Sequence, residues 1–284
     1  MKGVEKFREK LPDYQGKRFL LFIAVVLVTL ASSLVFQLFM DSLPRIFGDV
    51  AILQILAPFT PIIGSLIVLT IGFSIVYNFW RVREQYLMRY GKLAYQKAFK
   101  FVVIGVPMVI TIIIHSFLPT DLIVPYDDIN SISQYLAKPI FDIFFDVSIL
   151  CFLFRILFFI FFLAIGLRVV NVALKVFGID YMGLIYIFYP EESTLQNHEI
   201  YSIIRHPTYH TLMLLSISSI FFRFSIYSFI YFLIFIIGIN IHIKFVEEKE
   251  LIERFGEQYK KYKKEVPALI VRFKDLKKYL SLIF

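Results

Sequence analysis

The sequence has a single cysteine in 284 residues, Cys151, set within an apolar run. One thiol excludes an intramolecular disulfide framework and any zinc site built from clustered cysteines, so no metal centre is expected. Charge is also scarce. Asp, Glu, Lys and Arg together make up 18%, against about 25% in a soluble domain. There is no repeat at a fixed period and no low-complexity linker. No cleavable signal peptide is expected, because the first apolar block is too long and no small-residue cleavage site follows it.

What the sequence has in excess is apolar surface. Hydrophobic residues make up 58%, and 33 residues are Phe; mean hydropathy is +0.73. Soluble domains carry about 45–50% apolar residues, so the natural solvent of this chain is lipid. The formal net charge of +8 would in other company point to nucleic acid. Here the basic residues lie between apolar blocks, which the tendency of cytoplasmic loops to be positive explains without a nucleic-acid partner.

A helix needs about 20 apolar residues to cross a bilayer. Residues 19–40, 61–80, 101–118, 143–170, 209–222 and 225–246 qualify as apolar blocks. The second starts at Pro61, because proline fits a first helical turn. Only Arg223 and Phe224 separate the last two, which predicts a tight helical hairpin. The expected fold is therefore all-α and polytopic, with about six transmembrane helices and a carboxy-terminal amphipathic cytoplasmic helix.

Charge alternation orients this arrangement. Six basic residues precede the first block (Lys2, Lys6, Arg8, Lys10, Lys17, Arg18), and six follow the second (Arg81, Arg83, Arg89, Lys92, Lys97, Lys100). Connection 41–49 has Arg45 with Asp41 and Asp49. Connection 119–142 has Lys138 with Asp121, Asp127, Asp128 and Asp142. Eleven Lys and Arg lie from Lys244 onward. This pattern predicts both termini in the cytoplasm, with 81–100 and 177–208 on the same side and 41–49 and 119–142 outside.

Three features carry potential chemistry. Asp146, Arg155 and Arg168 share the fourth block, and intramembrane charges are costly; pairing with other helices is the simplest account, with His115 at the membrane interface. The stretch Tyr201-Ser-Ile-Ile-Arg205-His206-Pro207-Thr208-Tyr209 gathers Arg, His and two Tyr ahead of the hairpin, a composition that also suits an interfacial anchor. After the hairpin, apolar or aromatic positions 251, 252, 255, 259, 262 and 266 recur at helical spacing. Lys244–Glu248, Glu250–Arg254 and Glu257–Lys261 are possible i,i+4 pairs. A helix lying on the membrane accounts for most of this segment, but not for the acidic pair Glu247-Glu248 at the end of the last block.

Arg205-His206-Pro207-Thr208-Tyr209, then the hairpin, then Glu247-Glu248 with Leu251, Phe255-Gly256, Tyr259, Tyr262 and Val266-Pro267 resembles the isoprenylcysteine carboxyl methyltransferase family. Phospholipid methyltransferases share parts of the pattern. The resemblance covers roughly residues 186–270. It implies S-adenosylmethionine as methyl donor, bound on the cytoplasmic side under the carboxy-terminal segment. By position, Thr194, Leu195, Gln196, Tyr201, His206, Pro207, Thr208, Tyr209 and Glu247 match cofactor-contacting places. It also divides the chain into amino-terminal transmembrane helices, 1–176, and a catalytic region, 177–284. Aromatic faces such as Tyr201 or Tyr209 suit the cofactor's sulfonium cation.

The sequence departs from the family at several places. Glu199 stands where a Gly usually precedes the first Tyr by two, and Thr211 where a Gly often follows the second. Val271 replaces a Pro. Ile243 occupies the place of an Arg implicated in substrate binding, with Lys244 adjacent as the candidate replacement. The implied acceptor is lipophilic and enters from the bilayer. It is the carboxylate of a prenylated cysteine, or alternatively a lipid headgroup or small thiol. A transporter or non-catalytic membrane scaffold is the rival of another class, motivated by Asp146 and Arg155. The paired, Gly/Pro-broken helices of a two-repeat transporter are not evident.

Overall fold

The computed structural model describes residues 2–124, 131–144, 149–183 and 185–284. Among these the structure is all-helical, without a strand. A short helix α1 (Val4–Glu9) precedes four long helices: α2 (Lys17–Ile46), α3 (Thr60–Arg81), α4 (Ala94–Phe117) and α5 (Ile149–Phe177). Then come α6 (Pro207–Arg223), α7 (Ile226–His242), α8 (Glu248–Glu265) and α9 (Leu276–Ile283), with short helical turns between elements. Five helical stretches are long and apolar enough to cross a membrane: Lys17–Ile46, Thr60–Arg81, Arg83–Phe117, Ile149–Phe177 and Ile226–Glu265. The 17 residues of α6 extend about 25 Å, short of a hydrocarbon core of about 30 Å.

Helix α4 is central, touching α2, α3, α6 and α7. Its crossing with α3 is close because glycines face each other. A Cβ on Gly105 would stand 2.6 Å from Val76 Cγ2 and 2.9 Å from the Gly72 carbonyl oxygen. Small residues at such crossings let backbones approach where lipid supplies no hydrophobic drive. Helix α6 packs most extensively along α5 and also against α4 and α7.

Two expectations change in this bundle. His115 is buried rather than interfacial: its Nε2 lies 2.7 Å from Asp41 Oδ2, and Ser65 Oγ lies 3.3 Å from Nδ1. Asp41 and Arg45 belong to α2 rather than to a connection, because that helix runs on to Ile46. Arg45 donates to the carbonyl oxygens of Asp41 (2.8 Å) and Thr120 (3.0 Å). A lone charge or imidazole is costly away from water, so these polar groups from separate helices gather where they can pair.

The hairpin is built as the sequence suggests. Phe224 turns the chain with left-handed backbone (φ 54°) after α6. Ser225 then caps α7 by reciprocal bonds, its Oγ accepting from the Ser228 N–H and Ser228 Oγ accepting from its own N–H, which satisfies amide donors that have no partner in the first turn. Arg155 has its partner here: it donates to the carbonyl oxygens of Phe222 (2.5 Å) and Arg223 (3.3 Å), which the end of a helix leaves without intrahelical donors. Asp146 lies outside the described residues.

Helix α7 continues through one π-helical turn, Ile243–Glu247, into α8. Gly256 divides α8 into two helical pieces at φ 54°, ψ −131°, a backbone region that only glycine enters without strain. The apolar face of α8 packs on the protein itself: Tyr259, Tyr262 and Val266 are buried together, with Leu195, Leu251, Ile252 and Phe255 against them. The chain then folds back across the start of α6, where the Arg205 N–H donates to the Pro267 carbonyl (2.9 Å) and the His206 N–H to that of Ala268 (3.1 Å). Finally α9 docks on α5, with Tyr279 and Ile283 among Ile165, Val169 and Val176.

Candidate functional site

The start of α6, the π turn and α8 meet at one end of the hairpin. Pro207 opens α6, its missing N–H costing nothing in a first turn, with His206 as the residue before it. Thus Arg205, His206 and Tyr209 are brought to face Glu247 and Glu248. The two carboxylates have different company. Glu248 is paired with Arg205, whose Nε lies 3.1 Å from its Oε1, and with Lys263, whose ammonium lies 2.6 Å from Oε2. Arg205 also bonds the carbonyl oxygens of Lys263 (2.9 Å) and Val266. The arginine therefore joins the start of α6 to both ends of α8. Burial opposes ionisation of Glu248, but His206, Lys263 and Arg205 outweigh it and hold the carboxyl well below the usual range.

Glu247 has softer partners. Tyr209 donates its hydroxyl to Oε1 at 2.5 Å, His206 Nδ1 lies 3.4 Å from Oε2, and His242 Nε2 lies 3.8 Å from Oε1. His242 in turn stacks on Phe73 and meets Trp80 edge-on, with ring centroids 5.4 and 5.2 Å apart. Burial disfavours charge on His206, but the two carboxylates overcome it and raise its pKa. His206 Nε2, 3.5 Å from Glu248 Oε1, is buried and makes no hydrogen bond. The cluster thus contains a largely buried carboxylate, Glu247, faced by two histidines and a tyrosine hydroxyl rather than by a lysine or arginine, beside an imidazole nitrogen with capacity to spare.

Tyr201 joins through its backbone, its carbonyl accepting from the Tyr262 hydroxyl at 2.6 Å, while its ring packs on Phe177. Leu195 packs against the buried face of α8, beside Tyr259 and Tyr262 rather than in the cluster itself, and Arg254 ties the same loop to α8 by a 3.2 Å bond to Ser193 Oγ. Thr194 is exposed, with Gln196 Nε2 donating to its Oγ1 at 2.8 Å. Thr208 is exposed at the start of α6. Lys244 stands apart, exposed, with its ammonium 5.2 Å from the centre of the Phe245 ring, while Ile243 is buried in the apolar core with Leu69 and Ile239. Of the helix pairs expected from spacing, Glu250–Arg254 forms at 2.6 Å. Glu257 instead takes Lys260 at 2.5 Å, and Glu248 turns inward to Arg205.

Sequence reasoning missed His242, the pairing of Arg205 with Glu248, and the contribution of Lys263. His242 precedes Glu247 by five, a separation that puts two residues on one side only across a π turn. Glu199, in the place of a glycine, adopts φ 48°, a left-handed conformation that glycine takes at little steric cost. Among the described residues no group of three or more His, Cys, Asp and Glu is placed to hold a metal ion. Comparison with family models, with curated proteins and with solved structures found no match.

Proposed function

We propose that this chain is a membrane methyltransferase that uses S-adenosylmethionine, with short α6 crossing beside α7 as a sixth span where the bilayer thins to meet it, and with both termini and the candidate site at the cytoplasmic face. The observation that carries the reading is the convergence of His206, Tyr209 and Glu247, from two separated sequence motifs, under the clasp of Arg205 and Glu248.

The residues present fit a cationic, polar cofactor. Glu248 is already neutralised by Arg205 and Lys263, whereas Glu247 has only His206, His242 and Tyr209 and suits an ammonium or sulfonium group. When bound, S-adenosylmethionine supplies an electrophilic methyl group on a sulfonium. In this reading Glu247 accepts hydrogen bonds from the cofactor's donors, and protonated His206 donates from Nε2 to one of its acceptors. The faces of Tyr209 and Tyr201 favour the positive charge, and the loop around Leu195 together with α8 excludes water. Transfer to an anionic oxygen or sulfur needs no general base, whereas a neutral amine or thiol gives up a proton as it is methylated, for which Glu247 and His206 are the groups at hand; alignment and exclusion of water supply the rest of the acceleration.

The acceptor in this reading is lipophilic and arrives from the bilayer. Burial of Ile243 and the outward position of Lys244 favour a lipid headgroup or small thiol over the carboxylate of a prenylated cysteine, since neither residue offers a cation to the site. Calorimetry with purified protein and S-adenosylmethionine tests the proposal. Saturable one-to-one binding supports it, and the absence of binding in both detergent and nanodiscs removes it.

A further inference from the structure

The apolar face of α8 is satisfied within the protein, but the segment that follows is not. Ile270, Phe273 and Phe284 are 70%, 93% and 74% exposed, and Leu276 and Leu280 are exposed beside them. Among them stand Arg272, Lys274, Lys277 and Lys278 with one acid, Asp275, four basic residues against one. Lys274 and Lys277 are exposed, and Lys278 reaches Ser202 Oγ at 2.7 Å.

Helix α9 therefore has two apolar sides. Tyr279 and Ile283 face inward to Ile165, Val169 and Val176, toward the carboxy-terminal end of α5. Leu276, Leu280 and Phe284 face outward. Helix α5 is long and apolar enough to span a bilayer, so a helix lying along its last turns sits where acyl chains give way to headgroups. A short element with large apolar side chains on its outer side and lysines between them suits that layer. Basic side chains at that depth are drawn to anionic lipids.

We propose that residues 270–284 form a binding surface for anionic lipid headgroups of the membrane that holds the protein. Ile270, Phe273, Leu276, Leu280 and Phe284 enter the acyl boundary, and Lys274 and Lys277 engage lipid phosphates. The surface is built on the segment that closes the candidate site. His210 Nδ1 lies 2.6 Å from the Leu269 carbonyl and Nε2 lies 2.8 Å from the Tyr279 hydroxyl, and Pro267 and Ala268 accept from Arg205 and His206. Lipid engagement thus tethers the strap over the cluster, whatever chemistry the cluster performs.

The test uses full-length protein with Cys151→Ala and Phe273→Cys, labelled with an environment-sensitive fluorophore and placed in nanodiscs. Phosphatidylglycerol mixed into phosphatidylcholine is expected to shift emission to the blue and reduce acrylamide quenching several-fold relative to phosphatidylcholine alone. Lys274→Glu with Lys277→Glu is expected to abolish that difference. Hydrogen exchange of the otherwise unaltered chain provides a second measurement, with amides of 270–284 slowed by phosphatidylglycerol. Equal quenching and equal exchange in the two lipids, whether high or low, overturns the proposal, as does a lipid difference that survives the double charge reversal.

Discussion

Arg205 and Glu248 form a buried ion pair across 43 residues of sequence, with 7% and 5% of their side chains exposed. It joins the residue two before α6 to the first residue of α8, and is a charged contact among those that close the two motifs on each other. Breaking such a pair from one side leaves a buried charge uncompensated, at a cost of about 3–5 kcal/mol. Arg205→Ala is expected to lower the thermal midpoint in detergent markedly. Glu248→Gln, which keeps hydrogen-bonding capacity, is expected to cost less. Equal midpoints for wild type and Arg205→Ala would show that Lys263 alone balances Glu248.

For cofactor binding, His206→Ala, Tyr209→Ala and Glu247→Ala are each expected to weaken S-adenosylmethionine by about 1–3 kcal/mol, roughly 5- to 150-fold, as a buried polar group loses its partner. Lys244→Ala is expected to leave affinity nearly intact, because that ammonium lies over Phe245 outside the cluster. Calorimetry in which all four variants behave alike would dismiss the assignment of these residues.

Protonation gives the site a preferred pH. The pKa of His206 is raised above its ordinary 6.5 in the folded protein, so its stabilisation is present below 6.5 and fades as pH rises through the raised value. Glu248 is shifted down from 4.5, so its stabilisation is present above 4.5 and fades on acidification. The thermal midpoint is expected to be highest between those two ordinary values. His206→Gln should flatten the alkaline decline and leave the acid decline in place; an unchanged alkaline limb would place the responsible group elsewhere.

Backbone strain predicts two changes of opposite sign. Glu199→Gly relieves a left-handed conformation and is expected to stabilise by about 1 kcal/mol. Gly256→Ala is expected to destabilise by about 1–3 kcal/mol, although a Cβ there meets nothing within 4 Å. Paired thermal melts decide the matter, and a neutral Gly256→Ala would mean that the kink in α8 can relax.

Orientation is open to cysteine labelling in a Cys151→Ala background. Met88→Cys, at a position 84% exposed, is expected to react only from the cytoplasm, and Leu122→Cys, at one 52% exposed, only from outside. The reverse pattern would invert the topology and move the candidate site to the other face.

The long apolar helices and the hairpin were legible because they rest on local signals: block length, Pro61 in a first turn, and two residues between α6 and α7. The buried pair of His115 with Asp41 was not, since its members are 74 residues apart and each reads singly as a polar residue near a helix end. The amphipathic pattern of α8 was visible, but its destination was not. Periodicity reveals that a face is apolar without saying whether protein or lipid covers it, and here Tyr259 and Tyr262 turn inward. In the candidate site, His206, Tyr209 and Glu247 came from motif resemblance, whereas His242 escaped because helical periodicity looks three or four residues away.

The π turn at Ile243–Glu247 makes the cluster depend on a count as much as on chemistry. In an uninterrupted α-helix, residues five apart point about 140° from each other; the wider turn brings His242 and Glu247 round to the same side. Removing Val246, a half-buried apolar residue, would take away no charged, aromatic or hydrogen-bonding side chain. It would let the helix wind continuously with His242 and Glu247 four apart, about 40° from each other, so the two would stay on one side. A chain lengthened by one residue in the same turn, and wound as continuous α-helix, would look almost intact residue by residue, yet His242 and Glu247 would point about 120° from each other and the site would be lost.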